Sequence, residues 1–313
     1  MKTRMILVTA IVGLCAVAVM LREAAAGPET RDAAVDSVRL LTTVSVLAHD
    51  SMEGRAAGSP GGARARHYLT RALADAGVLP LDGTFEHAFD LGERGTGVNI
   101  LGLVPGSAEG PHIVLSAHYD HEGIRDGDIF NGADDNASGV AAVMEIARLL
   151  VLEPPLHPIV IALFDDEEQG LGGARHFVTD PPIALDDIAL NVNLDMVSRA
   201  EGELWAGGAH HTPALRPVLE AVAADAPLDL RLGHDRPGAP EGADWTMQSD
   251  HGAFHEQGIP FVYFGVEDHP DYHRPTDDFE RVDPADFLAS ARTILLAVRA
   301  LDAHPLPLRR EAP

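Results

Sequence analysis

HIVLSAHYDH (residues 112–121), NGADDNASGVAAVMEIARLL (131–150) and IVIALFDDEEQG (159–170) form the stretch whose reading decides the fold. Two apolar runs of strand length, His112–Ala117 and Ile159–Phe164, flank a segment with helical spacing from Ser138 to Leu150. Along that segment Val140, Val143, Ile146, Ala147 and Leu150 fall on one face. Each apolar run ends in a polar cluster, His118 and Asp120 after the first, Glu167 and Glu168 after the second. A further strand candidate, Leu190–Leu194, ends at Asp195.

Working outward, residues 34–50 carry helical periodicity, the glycine-rich EGRAAGSPGG of Glu53–Gly62 reads as a turn, and a second helix is expected over residues 63–76. Val98–Val104 and Pro260–Phe264 read as strands, and Ala174–Val178, Pro213–Ala224 and Ala285–Leu301 as helical. Strands alternating with helices imply an α/β fold whose largely parallel sheet is covered on both faces.

The 313 residues, 46% hydrophobic and 23% charged, are enough for a substantial core. A net charge of -25 argues against nucleic acid or an anionic membrane as a partner, since both would repel the chain. Lys2 and Arg4 precede an apolar run from Met5 to Leu21, and Ala24, Ala25 and Ala26 offer a cleavage point before Gly27. Residues 1–26 therefore read as a signal peptide and 27–313 as one catalytic domain of a periplasmic or secreted protein, with no stable membrane partner unless that segment is retained. Cys15 is the only cysteine and lies in the apolar run, so any metal must be held by nitrogen and oxygen.

His118, Asp120, Glu167, Glu168 and Asp195 all follow strand candidates, and in open α/β sheets the carboxyl edge is where ligands bind. Each has an ordinary reading alone: His118 a surface residue, Asp135 a helix start, residues 165–168 a solvated acidic turn, Asp195 a loop hydrogen-bonder. Together they differ, because carboxylates beside buried strands cost several kcal/mol unless paired or metal-bound. A divalent cation would satisfy them jointly.

From about Asp36 to Ala303 the chain resembles the co-catalytic di-zinc metallopeptidases, a family that includes bacterial leucyl aminopeptidases, glutamate carboxypeptidases and glutaminyl cyclases. The resemblance rests on H-x-D at His118 and Asp120, G-x-D-D-x-x-S-G at Gly132–Gly139, E-E-x-G at Glu167–Gly170, the aspartate after a strand at Asp195, and the late His273. It implies a three-layer sandwich, a mostly parallel mixed sheet with helices on both faces. It also implies two zinc ions per chain, bridged by Asp135, with His118 and Asp195 completing one shell and Glu168 and His273 the other. Asp120 would hydrogen-bond the second nitrogen of His118, Glu167 would be the general base toward a metal-bridging water, and Tyr272 would donate to the oxyanion.

Ser249, Asp250 and His251 are expected to brace the site and Asp134 to buttress the Asp135 loop, while His121, His210, His211 and His269 have no assigned role. Asp165 and Asp166 stand where relatives carry small residues and would add negative potential near the metals. Loops 207–212 and 233–249 are expected to build the specificity pocket. The expected activity is that of an exported zinc exopeptidase acting on peptide substrates, foremost an aminopeptidase. A carboxypeptidase or dipeptidase is the alternative, then a glutaminyl cyclase or a non-catalytic binding domain. The motifs set no oligomeric state.

Overall fold

A computed structural model describes residues 34–240 and 242–305, so the proposed signal segment and Cys15 lie outside the described residues. In chain order the elements begin with helices α1 (Ser37–Leu47) and α2 (Pro60–Asp75), then strands β1 (Leu79–Pro80), β2 (Glu86–Asp90), β3 (Thr96–Val104) and β4 (His112–His118). A small hairpin of β5 (Gly123–Arg125) and β6 (Asp128–Phe130) leads to α3 (Gly139–Leu152), β7 (Ile159–Phe164), α4 (Gly172–Thr179) and β8 (Ile188–Leu194). The last part holds β9 (Glu203–Gly207), α5 (Arg216–Asp225), β10 (Asp229–Leu232), α6 (His251–Glu256), β11 (Phe261–Gly265) and α7 (Pro284–Asp302).

Capping chemistry sets the early boundaries. The Asp36 side chain accepts from the backbone N–H groups of Val38 and Arg39, which starts α1. Ser59 accepts from Gly62 N and Pro60 occupies the first turn, so α2 begins inside the stretch expected to be a turn. Its two glycines serve close approach: a Cβ on Gly61 would lie 2.1 Å from the Met52 carbonyl oxygen.

The sheet order is β1-β3-β7-β4-β8-β11-β9-β10, with β2 also paired to β3. β4 runs parallel to both β7 and β8, and β11 parallel to β8, while β3 and β9 pair antiparallel with β7 and β11. The expected parallel sheet is thus its centre, flanked by antiparallel strands. β2 and β10 escape the apolar-run signal because they alternate and stay partly exposed.

β7 and β8 are buried along their whole length, as strands covered on both faces must be. On one face Phe177 of α4 and Phe254 of α6 pack on Phe164 of β7, with ring centroids 5.5–6.1 Å apart. Each such buried ring contributes about 1.5–3 kcal/mol by area removed from water. α3 packs on β4 and β8 and contacts α1 and α7. No helix of the described residues is long and apolar enough to cross a membrane.

Candidate metal centre

Because β7, β4, β8 and β11 are parallel neighbours, the segments that leave their carboxyl ends meet at one edge. His118 ends β4, Asp195 follows β8, Glu167 and Glu168 follow β7, and His273 lies in the segment after β11. Asp135 reaches the same edge from the kinked turn Ala133–Ser138 that precedes α3. Gly132 starts that turn at φ 54, where a Cβ would fall 2.0 Å from the Asp135 carbonyl oxygen.

Two donor groups share Asp135. His118 Nε2 is 3.2 Å from Asp195 Oδ1 and 3.3 Å from Asp135 Oδ1. His273 Nε2 is 3.2 Å from Asp135 Oδ2 and 3.3 Å from Glu168 Oε2. Four ligands placed tetrahedrally at about 2.0 Å from one ion are about 3.3 Å apart. The spacing therefore fits two zinc ions, and the donor set of imidazole nitrogen and carboxylate oxygen suits that metal.

The electrostatics make the same demand. Burial opposes a charged His118, yet Asp195 and Glu167 outweigh it and drive its pKa well up. Burial likewise opposes His273, but Asp135 and Glu168 push it up to about 9. Glu168 rises to about 9 through burial and the Asp135 charge, and Asp195 rises through burial despite His118. Burial would raise Asp135, but His121, His118 and His273 together hold it well below the usual range. The cluster thus calls for positive charge at the two points where His118 and His273 meet the carboxylates.

Residues outside the two donor groups hold this geometry. Arg55 is wholly buried; its Nε donates to Tyr119 O at 2.8 Å, Nη1 to Leu47 O at 2.9 Å and Asn131 O at 2.5 Å, and Nη2 to Gly132 O at 3.0 Å. It ties the His118–His121 segment to the Asp135 turn, and burial lowers its pKa only to about 10. Asp134 accepts from Ser198 N at 2.8 Å and Oγ at 2.7 Å, and its Oδ2 lies 3.1 Å from His269 Nε2. Nδ1 of His118 faces Asp120, whose backbone oxygen is nearer, at 3.2 Å, than its carboxylate, at 3.6 Å. That carboxylate instead accepts Glu167 N at 3.1 Å. Ser249 Oγ accepts from Asn193 Nδ2 at 2.9 Å and hydrogen-bonds Asp195.

Some expectations change. Asp165 accepts Val98 N at 2.9 Å and Asp166 pairs with Arg94, so neither lines the cleft as free negative charge. The cleft, about 160 Å³, is lined beyond the donor residues and Glu167 by Met196, Trp245, Gln248, Tyr263, Val266, Asp268 and Tyr272. Residues 207–212 are absent from its described lining, because β9 is antiparallel to β11 and carries them toward Phe261 at the amino end of β11, away from the edge that holds the cluster. Tyr272 stacks on His273 with centroids 3.9 Å apart, and burial drives its pKa up.

His121, left without a role by the sequence, is wholly buried inside the cluster, where its Nδ1 is 2.5 Å from Glu168 Oε1. Its position just past His118 on the same strand end was the available signal. A separate grouping of His87, His176 and Asp180 brings donors within 4.8 Å. There the two imidazoles stack at 4.5 Å and 29°, so their in-plane lone pairs do not converge on one point.

Residues 99–298 match the sequence model of Peptidase family M28. An aminopeptidase of Bacillus subtilis, YwaD, is 31% identical over 199 residues, covering 60% of this chain and 41% of that protein. A probable zinc metalloprotease of Leptosphaeria maculans is 33% identical over 112 residues, 34% of this chain and 25% of that one. The chain thus spans less than half the length of these curated relatives. Among solved structures, the Bacillus subtilis zinc aminopeptidase BSAP superposes with a TM-score of 0.68 at 17% identity, over 86% of this chain and 95% of that one. Porphyromonas gingivalis glutaminyl cyclase gives 0.69 at 21% identity, over 84% and 98%. At such identities these two structures share the fold.

Proposed function

The chain belongs to peptidase family M28, and from that premise we propose that it is a two-zinc aminopeptidase cleaving the first bond of peptides with a free amino end. The observation that carries the reading is Asp135, whose two oxygens face His118 and His273 separately, with Glu167 in the same cleft but in neither donor group. His118, Asp135 and Asp195 would hold one ion, and Asp135, Glu168 and His273 the other. When bound, zinc supplies Lewis-acid polarisation of the scissile carbonyl and lowers the pKa of water.

The chain's own groups do the rest. Glu167, held through its backbone N–H on Asp120, takes a proton from the attacking water at a carboxylate oxygen and returns it to the leaving amine nitrogen. Burial raises its pKa, as do Asp195 and Asp250 against the pull of His118, which suits a group that must keep a proton between two steps. The Tyr272 phenol, its pKa raised, keeps its proton and donates to the oxyanion.

The peptide end follows from charge. Beyond the proposed ligands and Glu167, the one charged side chain among the described residues lining the cleft is Asp268, and no lysine or arginine lines it. With the ligand carboxylates answered by bound ions, a terminal carboxylate would still meet no cationic side chain, whereas a terminal ammonium would meet Asp268. The cleft is also well below the roughly 300 Å³ at which pockets begin to enclose drug-sized ligands, so it suits one end residue.

Export is part of the proposal on sequence grounds alone, from Lys2, Arg4 and the apolar run that follows them. The test of the activity is one peptide offered free and N-acetylated to zinc-loaded protein, with products weighed with and without chelator. Stepwise, chelator-sensitive loss from the free amino end alone is expected. Loss from the carboxyl end, or release of ammonia from an N-terminal glutamine without hydrolysis, would overturn it.

A further inference from the structure

We propose that His121 is a positioning residue for Glu168: its Nδ1–H donates to Glu168 Oε1 and leaves Oε2 as the one oxygen available to the second metal ion. The inference rests on the two-ion reading above and adds a residue to it.

Three distances carry it. His121 Nδ1 is 2.5 Å from Glu168 Oε1, while Glu168 Oε2 is 3.3 Å from His273 Nε2, so the two oxygens of one carboxylate face different partners. Were His121 itself a ligand of that ion, its nitrogen would lie about 3.3 Å from the other donors. His121, Asp135 and Glu168 do offer donor atoms within 4.8 Å of one another, but the His121 spacings are unequal: Nδ1 is hydrogen-bond close to Glu168 Oε1 and 3.8 Å from Asp135 Oδ2.

Packing gives the ring little freedom to do otherwise. His121 is wholly buried, and a Cβ on Gly132 would fall 2.5 Å from its ring, so a backbone turn with no side chain lies flat against it. On another side it meets the His273 ring edge-on at 5.9 Å. A carboxylate free at both oxygens can chelate an ion; with Oε1 tied to His121, Glu168 would offer an ion Oε2 alone.

The test compares His121→Asn, whose amide nitrogen can donate from nearly the place of Nδ1, with His121→Leu, which has no donor. Zinc affinity is read by chelator competition after circular dichroism of the metal-free proteins. The expected result is a loss of about 10- to 100-fold for one of the two ions in His121→Leu, little change in His121→Asn, and no change for the other ion in either. Equal loss in both variants, or none in either, would overturn the proposal.

X-ray absorption on zinc-loaded wild-type protein tests it without a substitution. Two imidazoles shared over two zincs are expected, and three would make His121 a ligand and overturn the positioning role. A wild-type protein that binds only one ion would instead overturn the two-ion reading, and this inference with it.

Discussion

Asp277 Oδ2 accepts the backbone N–H of Asp135 at 3.1 Å and that of Asp134 at 3.0 Å. Asp277 closely follows His273 in the chain, so one segment brings a donor to the cluster and clamps the turn that carries the shared carboxylate. Its pKa is pushed up to about 6 by burial and by Asp134. Asp277→Ala is expected to destabilise the protein by about 1–3 kcal/mol, the cost of unpaired buried N–H groups, and to weaken both metal positions together. Asp277→Asn, which keeps one acceptor oxygen, should lose less. Urea unfolding and metal titration would check this, and loss at one metal position only would contradict it.

Glu167 belongs to neither donor group. Glu167→Gln should therefore bind the same complement of zinc as the parent while kcat falls about 10²- to 10⁴-fold, the range for removing a general base. Metal content by mass spectrometry and steady-state kinetics on one peptide decide it. Retained turnover would remove Glu167 from the mechanism.

Arg55 satisfies four carbonyl oxygens on three segments. Arg55→Met leaves those oxygens buried without donors, and a loss of at least about 3 kcal/mol is expected. Arg55→Lys should not restore it, because an ammonium cannot reproduce the planar fork. If thermal unfolding shows the lysine variant as stable as the parent, the fork geometry is not what holds these loops.

Asp250 is wholly buried, and neither carboxylate oxygen has a hydrogen-bond partner among the described residues. Burial, then Asp195 against the opposing His118, raises its pKa from 3.8 to about 8. A carboxyl with a raised folded pKa binds more protons folded than unfolded between those values, so stability falls as pH rises from 3.8 toward 8 and levels off above. In chelated protein, Asp250→Asn should flatten this fall and be the more stable form above about pH 8, judged by Tm across pH. Parallel curves for the two proteins would show that Asp250 does not titrate in this window.

Much of the fold was legible because its central strands are buried on both faces and so appear as unbroken apolar runs. Ile159–Phe164 is the clearest case, matching the structure at both ends. Edge strands such as Glu86–Asp90 were not legible, since an alternating, half-exposed strand leaves no such run. The start of α2 was misplaced because Gly61 and Gly62 read as part of a turn when their role is close packing against Met52 and Ala56.

The sequence by itself sent His118, Asp120, Glu167, Glu168 and Asp195 to one edge, since each follows a strand marked by the hydrophobic pattern, and the family resemblance added Asp135 and His273 as expected donors. Only the tertiary structure decided how they divide. Which oxygen of Asp135 faces which imidazole, that His121 holds Glu168, and that Arg55 and Asp277 fix the loops depend on pairs far apart in sequence, joined by Arg55 and Tyr119 or Asp277 and Asp135. Such contacts have no local period to betray them; they arise when the sheet orders its strands as β7-β4-β8-β11 and burial leaves most polar groups at that edge only one another as partners.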